Sequence, residues 1–100
     1  QMKEIRLNGA VMVNKAAAHA YLKRKLALPR YYGNNLDALW DCLSTDFSPK
    51  VITIRHPEAI IKNLGAYGEA LIELFREAAA ANDFIQVDIE NENTGETGRE

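Results

Sequence analysis

Val51-Ile52-Thr53-Ile54 is an unbroken run of β-branched residues. Such side chains are stiff at χ1, crowd the preceding turn of a helix and pack well on a pleated surface. The run therefore reads as a buried strand. Two other segments carry strand patterning. Lys3 to Leu7 sets Ile5 and Leu7 against Glu4 and Arg6, and Phe84 to Glu90 places Ile85, Val87 and Ile89 on one face. Asn8-Gly9 after the first strand is a turn signal. The segments between these strands read as helices. Asn14 to about Leu28 has an N-cap residue at Asn14 and apolar residues at Ala18, Tyr21, Leu22 and Leu26. Lys23, Arg24 and Lys25 suit its C-terminal end, and Pro29 stops it. Asn34 or Asn35 caps a second helix to about Ser44, and a breaker region with Pro49 precedes the central strand. Glu58 to Asn63 predicts a short helix. Tyr67 to Asn82 predicts a longer one, with Ala70, Leu71, Leu74, Phe75 and Ala78 at helical spacing. Strands separated by helices predict an α/β fold: a small three-stranded parallel sheet packed against about four helices, joined by right-handed crossovers.

The chain has 100 residues, the size of one domain. That domain is expected over residues 1–90. Residues 91–100 contain no large apolar side chain and are expected to form a disordered tail. A single cysteine, Cys42, precludes an internal disulfide and favours a reducing, cytoplasmic setting. The start, Gln1-Met2-Lys3-Glu4-Ile5, does not read as a signal peptide. No apolar run approaches the roughly 20 residues of a membrane span. A net charge of −2 argues against direct nucleic-acid binding, which calls for a basic face. It permits a basic protein partner. Nothing in the pattern calls for an oligomer, so a monomer is expected.

The segment after the first helix holds the functional signal. Leu36, Leu39, Trp40 and Leu43 fall at i, i+3, i+4 and i+7 and form one apolar stripe. Asp37 and Asp41 lie together at i, i+4 on the flank away from it, with Ser44 continuing that side and no lysine or arginine within the helix. Like charges at this spacing cost a few tenths of a kcal/mol, roughly, and the helix dipole offsets this for Asp37 better than for Asp41. A bare Asp-x-x-x-Asp is usually a solvated face. Here it follows Tyr31-Tyr32-Gly33, which places aromatic surface beside clustered carboxylates. Either tyrosine could instead pack on the core. For Trp40, at the edge of the stripe, core packing is the simpler role.

The stretch Leu26-Ala27-Leu28-Pro29-Arg30-Tyr31-Tyr32-Gly33-Asn34-Asn35-Leu36-Asp37-Ala38-Leu39-Trp40-Asp41-Cys42-Leu43 closely resembles the central segment of the barstar family of intracellular ribonuclease inhibitors. Leu74-Phe75-Arg76-Glu77-Ala78 resembles that family's later helix, and the element order agrees over residues 3–90. The resemblance implies a barstar-like domain and a 1:1 partner, a barnase-like extracellular ribonuclease. It implies that Tyr31, Asp37 and Asp41 enter the enzyme's active site, with Asp41 in the place of a substrate phosphate. Gly33, Asn35, Leu36, Ala38, Trp40 and Ser44 fall at neighbouring interface positions, and Glu77 matches a second acidic contact. Asp46 stands where the family has an aromatic residue, with Phe47 beside it. Arg30 and Asn34 stand at positions that are acidic in the family's eponymous inhibitor, and the tail runs past the family's usual end. Clustered carboxylates suit the role, because ribonuclease sites gather Arg, Lys and His around phosphate and charge-assisted hydrogen bonds are strong.

Other residues carry weaker signals. Cys42 has no neighbouring base and reads as a structural thiol. His19 and His56 lack companion ligands at metal spacing and read as core or surface histidines. Glu69, Glu73 and Glu77 form a row that is mostly solvated face, with Glu77 alone matched to the family. No cofactor motif and no metal motif is present. An enzyme or metal protein using Asp37, Asp41 and Glu77 would lack a nucleophile and an adjacent histidine. A barstar-like module redirected to another basic toxin or regulatory partner is the remaining alternative, motivated by Arg30, Asn34 and the displaced aromatic.

Overall fold

A computed structural model describes residues 2–90, so the segment read as a tail lies outside the described residues. Strand β1 (Lys3–Asn8) leads through a 3₁₀ turn at Gly9–Val11 into α1 (Lys15–Lys25). Then come α2 (Leu36–Ser44), β2 (Lys50–Arg55), α3 (Pro57–Leu64), α4 (Ala66–Ala81) and β3 (Ile85–Ile89). The sheet has order β1-β2-β3 and is parallel throughout, so the β-branched run sits at its centre. Ile5, Ile52 and Val87 lie in register across the three strands, as do Leu7, Ile54 and Ile89. These rows face Leu22 of α1, Leu39 and Leu43 of α2, Ile60 of α3, and Leu71 and Phe75 of α4 in one core. The expected α/β architecture is the observed one.

Local chemistry sets the element ends. The Asn14 side chain accepts from Ala17 N–H at 2.8 Å, capping α1. Asn35 caps α2, accepting from Ala38 N–H at 2.7 Å, while Asn34 takes a left-handed conformation that asparagine tolerates. Pro57 occupies the first turn of α3, where its missing N–H costs nothing. Helix α1 ends at Lys25, three residues short of the sequence expectation. Ala27 turns left-handed (φ 53°), Ala27 N–H donates to Arg24 O, and Leu28 N–H donates to Lys23 O at 2.9 Å. That is a Schellman closure with alanine where glycine is usual, so Pro29 bounds the helix but no glycine marks its last turn. Gly68 lets α3 and α4 meet: a Cβ at that position would lie 2.5 Å from Ile60 O.

Candidate partner-binding face

The loop between α1 and α2 separates its two tyrosines. Tyr32 is 6% exposed and its hydroxyl sits 2.6 Å from His19 Nδ1. Tyr31, 87% exposed, projects into solvent. The loop is tied down by Lys23 Nζ donating to Arg30 O at 3.2 Å, Tyr32 N–H donating to Pro29 O at 3.0 Å, and Asn35 Nδ2 donating to Gly33 O at 3.2 Å. The loop so held presents an aromatic ring at the head of α2.

Helix α2 buries Leu39 and Leu43, while Leu36, Ala38 and Trp40 are half-buried. Asp37 and Asp41 stay exposed, as the wheel predicts. Helix α4 packs beside α2, and Asn82, just past its end, donates through Nδ2 to Leu43 O and Asp46 O, both at 2.8 Å. Between the helices runs a groove of about 340 Å³ with Leu36, Trp40, Ala70 and Leu74 as its apolar floor and Asp37, Glu73 and Glu77 as its acidic walls. Glu73 pairs with Arg76 at 3.4 Å. Among the described residues, Asp37, Asp41 and Glu77 have neither a hydrogen-bond nor an ion-pair partner on their side chains. Fixed helices thus hold carboxylates that the fold itself leaves unsatisfied.

Beyond α2 the chain divides inward and outward again. Asp46 accepts from Ser48 N–H at 2.9 Å and pairs with the ammonium of Lys50, which is buried. Burial by itself would raise the Asp46 pKa, but the Lys50 ammonium and the Ser48 N–H outweigh it and hold the carboxyl below its usual range. Asp46 is therefore engaged within the fold. Phe47 is 70% exposed and meets Phe84 edge-on, with ring centroids 5.7 Å apart. Ser44 is half-buried on the last turn of α2. Cys42 is half-buried, and desolvation, with Asp41 and Asp46 adding to it, raises its pKa, which suits an inert thiol.

Several contributors were not legible in one dimension. Glu73 belongs to a row whose spacing predicts a solvated face, and spacing places Ala70 on the apolar stripe of its helix. Both line the groove because α4 lies against α2, a placement that periodicity does not encode. Phe84 gave no signal of pairing with Phe47. His19 is buried between Tyr32 and Tyr67, as one of the two readings of a lone histidine allowed. Among the described residues no group of three or more His, Cys, Asp or Glu could hold a metal ion, and no helix is long and apolar enough to cross a membrane.

The fold is thus a small parallel α/β domain with unpaired acids and an exposed aromatic gathered on one face. The family model for barstar, the barnase inhibitor, matches residues 2–92. A Bacillus subtilis (strain 168) protein named "Putative ribonuclease inhibitor YrdF" is 39% identical over 79 residues, covering 77% of this chain and 86% of that protein. The chain belongs to the barstar family, whose members are inhibitors and not enzymes.

Proposed function

We propose that this chain inhibits a barnase-type ribonuclease as a 1:1 complex, acting in the cytoplasm and covering the enzyme's active site with the α2–α4 face and the Tyr31 loop. The observation that carries this reading is the set of unpartnered carboxylates, Asp37, Asp41 and Glu77, held on two packed helices beside exposed Tyr31. A site built to grip phosphate offers cationic donors, and preorganised carboxylates satisfy them without reorganising. Asp41, midway along the exposed flank, serves as the phosphate surrogate. Asp37 and Glu77 flank the groove and accept further cationic side chains. Gly33, Asn35, Leu36, Ala38, Trp40 and Ser44 supply the surrounding contact surface. The acidic cluster also steers a basic enzyme during approach, a contribution that salt screens. Phe47, exposed one position beyond Asp46, takes the aromatic role at the rim.

The test is stopped-flow association with a purified barnase-type ribonuclease across ionic strength, together with Asp41→Ala. The association rate is expected to fall steeply with salt. The variant is expected to lose about 2–5 kcal/mol of affinity, roughly thirtyfold to several thousandfold in Kd. Undiminished affinity in Asp41→Ala removes this site from consideration.

A second reading is favoured by Arg30, which puts a cation next to Tyr31 on the rim of the acidic face. It redirects the same surface to a different basic toxin or regulatory protein with an acid opposite Arg30. Weak inhibition of barnase-type enzymes, with tight binding to a basic protein captured from the native cell, would favour it.

A further inference from the structure

His19 sits in the core with both ring nitrogens engaged. Nδ1 lies 2.6 Å from the Tyr32 hydroxyl and Nε2 lies 2.6 Å from the Tyr67 hydroxyl. The rings stand at 50° and 76° to the imidazole, and the Lys15 ammonium covers the outer face of Tyr67 at 4.4 Å from its centroid. Burial lowers the His19 pKa, so the imidazole is neutral near pH 7. A neutral ring has one N–H and one lone pair, so one tyrosine donates to it and the other accepts from it. The chain of bonds runs Tyr32 to His19 to Tyr67 and joins three separate pieces. Tyr32 belongs to the loop that presents Tyr31. His19 belongs to α1. Tyr67 belongs to the first turns of α4, on the helix face that continues through Ala70 and Leu74 into the groove.

The other anchors of the loop are local or run to α1 or α2: Lys23 to Arg30 O, Tyr32 N–H to Pro29 O, Asn35 to Gly33 O, and the Asn35 cap on Ala38 N–H. They reach α4 only indirectly, through the packing of α2 beside it, whereas the Tyr32–His19–Tyr67 chain ends on α4 itself. Tyr31 contributes nothing to its own placement, since it is almost wholly exposed. We propose that Tyr67 and His19 are positioning residues for the binding face, a buried bolt that sets Tyr31 in register with the carboxylates of α4. The inference rests on the inhibitor reading above, and it adds residues that touch no partner. Their action is preorganisation: an anchor already held in its bound geometry loses less freedom on association, and the gain is read mainly in the dissociation rate.

The test uses Tyr67→Phe, which removes one hydroxyl and keeps the ring in place, with His19→Gln as the stronger lesion. Dissociation from a barnase-type ribonuclease is expected to quicken about fivefold to tenfold in Tyr67→Phe, at unchanged association rate and salt slope. Combined with Tyr31→Ala, the Tyr67→Phe effect is expected to vanish, because there is no longer an anchor to place. Additive effects in that cycle, or an unchanged dissociation rate, overturn the proposal while leaving the inhibitor reading intact. If the wild-type chain does not bind the enzyme, the inhibitor reading fails instead. Amide exchange in the free protein then decides the bolt. Tyr67→Phe is expected to speed exchange at the Tyr32 amide, and unchanged protection there overturns the proposal.

Discussion

Asp46 and Phe47 are neighbours with opposite duties, as are Tyr32 and Tyr31. In each pair one side chain is drawn into a buried polar contact and thereby fixes the direction of the other. Sequence patterning could not divide these pairs, because each partner that decides the matter is distant along the chain or across an element boundary: His19 for Tyr32, Lys50 for Asp46. The acidic flank was different. Asp37 and Asp41 could be placed outside from helical spacing alone, since the Leu36, Leu39, Trp40, Leu43 stripe fixes the wheel. Phe47, proposed above for the aromatic role at the rim, has an exposed ring that meets Phe84 edge-on at the end of the same pair of helices. Truncation in Phe47→Ala is expected to raise Kd for the ribonuclease about tenfold, as for an aromatic interface residue, with the salt dependence of association unchanged. Because the ring is mostly in water in the free protein, denaturation midpoints are expected to move little. Surface plasmon resonance alongside urea titration separates the two, and an unaltered Kd would place Phe47 outside the interface.

At the scale of elements, starts were more legible than stops. Asn14 and Asn35 announce their helices through side chains that accept from the third residue onward, and Pro57 announces α3. The end of α1 is bounded by Pro29 but carries no glycine to mark its last turn. Leu26-Ala27-Leu28 is composed of helix formers, and the helix reverses there because buried Leu26 and half-buried Leu28 both reach the core from a left-handed Ala27. An L-residue in that conformation costs roughly 1–2 kcal/mol, which glycine avoids while giving back part of it as unfolded-state entropy, on the order of 0.5–1 kcal/mol. Ala27→Gly is therefore expected to stabilise the protein by about 0.5–1 kcal/mol. In thermal unfolding that is a rise of a few degrees, roughly, for a domain of this size. A lowered midpoint would mean that packing around the Ala27 methyl outweighs the backbone strain. The strands were legible from two different patterns. β2 was read from its continuous β-branched run and β3 from alternation, and the sheet order explains the contrast: β2 is central and β3 lies at an edge.

For the whole molecule, two buried polar clusters make stability depend on pH in separate windows. His19 has a folded-state pKa below its ordinary 6.5, through desolvation. Between that lowered value and 6.5 the unfolded chain binds more protons than the folded one, so stability declines as pH falls through this range. Below the folded value the His19 contribution levels off. Asp46 has a folded-state pKa below its ordinary 3.8, because the Lys50 ammonium and the Ser48 N–H outweigh the opposing effect of burial. Its contribution is complete above the unfolded value and is lost as pH drops through the folded one. Acid is therefore expected to weaken the fold in two stages, the first governed by the bolt that joins α1, the loop and α4, the second by the turn between α2 and β2. Urea unfolding at a series of pH values from 7 downward resolves them. His19→Gln is expected to flatten the upper stage and leave the lower. Asp46→Asn is expected to flatten the lower stage, and to destabilise the protein near pH 7 by about 3 kcal/mol because Lys50 keeps its buried charge without a counter-ion. A single smooth decline that neither substitution reshapes would show that acid acts through the surface charge as a whole and not through these two sites.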